Sequence, residues 1–267
     1  AAFLDAMAAM PGITLLSGET VQAQEVDPSG VTVTLASWRR LTAGLLVGCD
    51  GRGSGVAARA GIKRIGWGYG QTALVTAIRH ERDHEGIAHQ FFMPSGPLAI
   101  LPLKGGHHSS IVWSETDANA ALIQALPDAD YLEALRPRFG DFLGEIALAG
   151  DRFTYPLSLS LAERFIAPRV ALVGDAAHGV HPIAGQGLNL GLRDVAVLVE
   201  SQRWRRFSST ALALGMDTVN RLFSSDNPLL RLGRDLGIGM VNALPGLRRG
   251  FMRQAAGLTG ELPKLLT

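Results

Sequence analysis

The sequence predicts a mixed α/β fold: a parallel-sheet unit interrupted by a mainly antiparallel β-sheet, with a helical stretch at the C-terminal end. Three observations carry that expectation. Two short apolar runs, Leu45-Leu46-Val47 and Val170 to Val173, each end at a glycine-bearing turn that leads into a helix-like segment. Such runs suit strands buried on both faces of a parallel sheet. From Tyr69 to Trp113, short apolar runs are separated by turn residues, which indicates antiparallel pairing. Beyond Ser201 the pattern reads as helix broken by Pro and Gly.

In chain order, residues 2 to 10 form a short amphipathic pattern stopped by Pro11-Gly12. Ile13 to Val26 and Val31 to Leu35 are β-like, with Asp27-Pro28-Ser29-Gly30 as the turn between them. A helix is expected from Ser54. Strands are expected at Ala73 to Ile78, Leu98 to Leu103 and Ser109 to Trp113. Ala118 to Leu126, Tyr131 to Phe139 and Gly187 to Glu200 read as helices, and Arg169 to Val173 as a buried strand. There is no internal repeat and no low-complexity segment.

Composition narrows the function. The 267 residues fit two modest domains, and 47% apolar content supports a sizeable core. With 25 basic against 24 acidic residues, a nucleic-acid partner is not indicated. The charge is uneven: residues 201–267 hold ten Arg or Lys and four Asp or Glu, a net of +6, which leaves −5 for residues 1–200. Cys49 is the single cysteine, so no disulfide can form within the chain. No run of eighteen apolar residues is present. The opening AAFLDAMAAMPG has no initiator Met and reads as the middle of a helix, so a preceding segment is expected.

Two glycine-rich turns concentrate the chemistry. In residues 45–62, Asp50-Gly51 follows the strand, and Ser54 can cap the next helix and leave its amides aimed at an anion. An ordinary strand-to-helix turn would look the same. The spacing is G-x-G-x-G rather than G-x-G-x-x-G, and no acidic residue follows about twenty positions on, so the dinucleotide fingerprint is not matched. In residues 169–194, Asp175 stands at the carboxyl end of a strand, where open α/β sheets bind ligands. A carboxylate there can accept hydrogen bonds from a ribose or ribitol hydroxyl. Pro182 stiffens the loop, and Gly185 and Gly187 allow close approach of the backbone to a flat ring. The helix from about Leu188 directs free amides and its positive dipole end at the same place.

GDAAHGVHPIAGQGLNLGLRD, within residues 169–194, resembles the second FAD motif of the class A flavoprotein aromatic hydroxylases. Residues 46–56 resemble their Asp-Gly motif. The longer string from Leu161 to Asp194, together with residues 92–103 and 227–260, is most similar to the ubiquinone-biosynthesis hydroxylases of that class. The resemblance implies a Rossmann-like FAD-binding domain in residues 1–64 and 161–200, an antiparallel substrate domain in 65–160, and a helical region in 201–267. It implies FAD held by Asp50, Gly51, Gly174, Asp175, Ala176, Pro182, Gly185, Gln186, Gly187, Leu188 and Asn189. NAD(P)H would be the reductant and O2 the co-substrate, and one oxygen atom would pass to the ring of a polyprenyl phenol. On that reading the flavin carries the chemistry and no side chain need act as nucleophile. A halogenase or prenyl reductase of the same fold, or a non-catalytic subunit of a quinone-biosynthesis complex, are the alternatives.

The family's N-terminal G-x-G-x-x-G strand is absent, and the run into Ser201-Gln202-Arg203 is abrupt, so missing residues are expected there also. The leucines and arginines of residues 227–267 suit peripheral contact with an anionic membrane on the cytoplasmic side, or packing against the FAD domain. Other chemistry is weaker. His178 and His181 read as packing or hydrogen-bonding residues. His107-His108 lacks partners at metal-ligand spacing and reads as an exposed turn. Asp128 and Asp130 read as helix caps, Ser158 and Ser160 lack a hydrolase setting, and Trp113 and Phe91-Phe92 read as core.

Overall fold

The computed structural model describes residues 2–200, with Gly246 and Arg249 beyond them. The expected helical tail, and with it the expected membrane-facing surface, lies outside the described residues. The chain opens with α1 (Ala2–Ala8), none of whose residues is buried. A three-stranded antiparallel sheet follows, made of β1 (Val21–Val26), β2 (Val31–Leu35) and β3 (Arg40–Ala43). Asp27 shapes the β1–β2 turn by accepting from the amides of Ser29 and Gly30. Residues 13–20 are not a strand. That stretch holds Gly18 at φ +74°, a conformation that breaks extended pairing.

β4 (Leu46–Gly48) leads to α2 (Gly55–Arg59). β4 pairs in parallel with a strand more than a hundred residues later, as the two apolar runs predicted. It is not buried on both faces, however. It is the edge of its sheet among the described residues, and Val47 is 37% exposed.

The largest sheet takes β5 (Arg64–His80), β6 (His89–Met93), β7 (Gly96–Pro102), β8 (His108–Thr116), β9 (Ile146–Leu148), β10 (Phe153–Ala162) and β13 (His178–Gly179). Its order is β13-β10-β5-β8-β7-β6, with β9 paired to β5, and its pairings are antiparallel. Side chains alternate across a sheet. One face contributes Leu74, Ile78, Leu98, Ile100, Ile111 and Trp113 to a core with Tyr131, Leu135 and Phe139. These last come from α4 (Asp128–Phe139), which with α3 (Asp117–Ala125) covers that face. Trp113 is core, as expected, whereas Phe91 and Phe92 are 37% and 39% exposed. Asp128 and Asp130 lie in the first turn of α4 without capping it, since the cap position is Pro127. Their carboxylates can favour the helix through its dipole.

The chain returns through β11 (Ile166–Ala167) and β12 (Val170–Leu172), which complete the order β11-β12-β4. A 3-10 turn (Gly174–Ala176), a second one (Pro182–Ala184) and α5 (Gly187–Glu200) follow. The mixed α/β expectation therefore holds. No helix among the described residues is long and apolar enough to cross a membrane.

His80, buried at the far end of β5, carries a pH dependence. Its Nδ1 lies 2.7 Å from the Arg82 carbonyl and its Nε2 lies 3.0 Å from the Ser109 hydroxyl. A carbonyl only accepts, so Nδ1 bears the proton and Nε2 accepts from Ser109 in the neutral ring. Burial, followed by the neighbouring histidines, pushes its pKa below the ordinary 6.5, against the raising effect of the Arg82 carbonyl. The unfolded chain therefore takes up the proton first, and this contribution is complete above pH 6.5 and declines as pH falls toward the folded value. The melting temperature of the wild type is expected to drop more between pH 7.5 and about 5.5 than that of His80→Gln. Equal drops would show that His80 does not carry the dependence.

Candidate functional site

The two glycine turns meet at the carboxyl ends of β4 and β12. β12 is apolar and fully buried, so it fixes Gly174 and Asp175 at the rim. Gly174 adopts φ +61°, and its amide donates to Asp194 Oδ2 at 2.9 Å. The same oxygen lies 2.7 Å from His178 Nε2. Asp194, on α5, thus ties the end of β12 to β13, with both side chains buried. α5 crosses close over the turn, where the left-handed backbone of Gly174 favours glycine. A Cβ on Gly191 would lie 3.5 Å from the Gly174 Cα. His178 takes the hydrogen-bonding role expected of it. His181 accepts from the Ile183 amide at 3.2 Å and caps the second 3-10 turn.

Asp175 Oδ2 pairs with Arg52 Nε at 3.2 Å, both side chains being partly exposed. Its other oxygen faces α5, 4.0 Å from where a Cβ on Gly187 would stand. Pro182 begins the second 3-10 turn, and Gly185 ends it in the left-handed region at φ +61° with no atom within 4 Å of its Cβ position. Gln186 is buried and its carbonyl accepts from Leu190. The amides of Gly187, Leu188 and Asn189 belong to the first turn of α5 and have no intrahelical acceptor. A carboxylate oxygen, free amides and an open glycine backbone therefore converge, and this donor set fits the ring and ribityl end of a flavin.

Asp50 accepts from the Ser54 hydroxyl at 2.6 Å and from the Val56 amide at 3.0 Å. The anion at the start of α2 is thus the chain's own carboxylate, because the turn folds Asp50 back onto the helix end. Burial pushes the Asp50 carboxyl up, but the Ser54 hydroxyl and nearby amides outweigh it and hold it below the usual carboxylate range. Gly51 sits at φ +80°, as its turn requires.

Sequence reasoning missed Arg52. Its guanidinium reaches Asp175, the Ser158 carbonyl at 2.8 Å and the Val180 carbonyl at 2.7 Å. It joins the Asp-Gly turn to β10 and to the later loop. Arg64 adds bonds to the Ser160 hydroxyl and to the Asp175 and Ala176 carbonyls. Also missed was a cavity of about 190 Å³ between the loop and the helix-free face of the large sheet. Gln90, Pro97, Ala99, Leu101, Val112 and Ser114 form the sheet wall. His181, Pro182, Ile183 and Gly185 form the other. Among the described residues no group of three or more His, Cys, Asp or Glu could hold a metal, and His107 lies in an exposed turn.

A parallel strand pair opening onto glycine turns and helix N-termini, joined to an antiparallel sheet across a cavity, defines a cofactor-binding α/β fold of the flavoprotein class. The FAD binding domain family model matches residues 2–201, and the chain belongs to that family. It is 43% identical to the ubiquinone hydroxylase UbiL of Rhodospirillum rubrum over 99% of this chain and 67% of that protein. To the ubiquinone biosynthesis monooxygenase COQ6 of Homo sapiens it is 31% identical, over 85% of this chain and 60% of that one. The p-nitrophenol 4-monooxygenase PnpA from Pseudomonas putida has the same fold, with a TM-score of 0.76 at 18% identity over 97% of this chain and 71% of that one. The chain spans between 59% and 67% of the length of the first curated relatives it matches.

Proposed function

We propose that this chain is part of an FAD-dependent monooxygenase that hydroxylates the aromatic ring of a polyprenylated phenol in ubiquinone biosynthesis, with NAD(P)H and O2. The observation that carries this reading is the cavity. One wall is the loop assigned to the flavin, and the other is an apolar sheet face of a size suited to one ring. The likeness to the Rhodospirillum rubrum ubiquinone hydroxylase supports the substrate class. Residues 1–64 with 161–200 hold the cofactor, and residues 65–160 supply the substrate wall.

FAD, when bound, supplies the redox chemistry: it takes reducing equivalents from NAD(P)H and activates O2. The chain's own residues bind and orient. Asp175 would accept a hydrogen bond from a ribityl hydroxyl through the oxygen that faces α5, while Arg52 holds the other oxygen in place. The amides of Gly187, Leu188 and Asn189 would hold the negative edge of the ring. Gly174, Ala176, Pro182, Gly185 and Gln186 shape the backbone around it. Asp50 and Gly51 set the turn that delivers Arg52. Pro97, Ala99, Leu101 and Val112 keep water from the substrate ring. Leu101 and Phe92, each about two-fifths exposed, give an apolar path outward for a prenyl tail.

The full-length protein should be yellow, and with NAD(P)H, O2 and a prenylated phenol it should give a product one oxygen atom heavier by mass spectrometry. A colourless protein would favour the non-catalytic subunit. Bound flavin without oxygenated product would favour a halogenase or reductase. The reading extends to peripheral membrane contact or complex membership through residues 227–267, which liposome flotation with and without that segment tests.

A further inference from the structure

We propose that Ser114 orients the substrate ring by hydrogen-bonding an oxygen substituent on it, a proposal that rests on the aromatic-hydroxylase reading above. Three serines are buried among the described residues: Ser54, Ser109 and Ser114. The Ser54 hydroxyl bonds Asp50 and the Ala57 amide, and the Ser109 hydroxyl bonds His80. Ser114, 1% exposed, has no such bond to the described residues, yet it lines the cavity. Buried hydroxyls are nearly always hydrogen-bonded. The cavity is where the Ser114 partner must come from.

The surroundings define that partner. Pro97, Ala99, Val112, Pro182 and Ile183 give apolar contact on both sides, so the body of the ligand is apolar. The other polar side chains of the lining are placed differently. Gln90 is exposed on β6, and His181 stands on the opposite wall, its Nδ1 taken by the Ile183 amide and its Nε2 buried there. A cavity of ~150 Å³ holds benzene, so about 190 Å³ has room for one substituted ring. The ligand class is therefore a single ring bearing a hydroxyl or similar oxygen directed at β8. The opposite wall is the loop from His181 to Gly185, so a ring anchored at Ser114 presents its remaining positions to that loop.

The test is calorimetric titration of the full-length protein with two probes, 2-prenylphenol and prenylbenzene, which differ only in the hydroxyl. The wild type should bind the phenol more tightly. Ser114→Ala should weaken the phenol about 5- to 10-fold, the worth of one hydrogen bond, and change prenylbenzene less than about twofold. Its melting temperature and flavin content should not move. Ser114→Cys puts a somewhat larger, weakly bonding thiol in place of the hydroxyl, and should shift phenol binding in the same direction. The proposal is overturned if Ser114→Ala binds the phenol like the wild type, if both probes weaken equally, or if the wild type binds neither. A preference that vanishes in Ser114→Ala, in a protein that forms no hydroxylated product, would uphold the anchor and overturn only the enzymatic reading.

Discussion

Replacing Asp194 by alanine is expected to destabilise the protein by about 3 kcal/mol, read as a lowered midpoint of urea unfolding. One carboxylate oxygen serves two partners, the Gly174 amide at 2.9 Å and the His178 ring at 2.7 Å. Alanine would leave both groups without an acceptor. Each unmet buried donor costs about 1–3 kcal/mol, more than the bond itself contributes when made. His178 has no exposed surface, so water cannot take over. Asp194→Asn keeps one oxygen and should lose about half as much. The damage should also be felt at the flavin, because Asp194 anchors α5 to the end of β12 and so sets where the helix N-terminus points. A midpoint equal to that of the wild type would show that the pair contributes nothing net.

Gly187→Val is expected to give a folded protein with less than about a tenth of the wild-type flavin content. Gly187 is the first residue of α5, and the closest atom to its Cβ position is Asp175 Oδ1 at 4.0 Å. A Cβ there makes no close contact with the protein, so the fold should tolerate it. The two methyls of valine would instead occupy the space between Asp175 and the amides of the first turn, where the flavin is proposed to lie. Loss of that approach costs both the carboxylate contact and the helix-end contacts. The ratio of flavin to protein absorbance checks it, with the melting temperature as the folding control. Full flavin occupancy in the variant would remove Gly187 from the site.

The parts legible in the sequence were those encoded locally. The strand at 170–172 is apolar throughout and runs through Val173 into Gly174, so its burial and its turn could be read together. Ser54 was identifiable as a cap from residue type and position alone. The first half of β5 was hidden because RIGWGYG breaks the usual strand composition. Gly66 is needed there because a Cβ would strike the Leu159 carbonyl of β10. β3 was missed because Arg40–Ala43 offers one strong apolar residue, Leu41. The cavity was not legible because its walls come from residues 90–114 and 181–185, joined only by tertiary packing. Arg52 escaped for the same reason, lying 123 residues from its partner Asp175. Asp50 was placed in the right turn, but no spacing rule says whether a carboxylate faces a ligand or its own helix.

Arg52 has a mechanical consequence. One guanidinium is bolted at once to the end of β12, to β10 and to the loop after β13. Any shear between the large sheet and the β4–β12 pair must break several of these bonds together, because they share one planar group. Arg52 therefore resists sliding of the two sheets past each other at this point. A displacement of the Asp50-Gly51 turn would act on Arg52 as on a lever, moving the loop on one side of the cavity and β10 on the other.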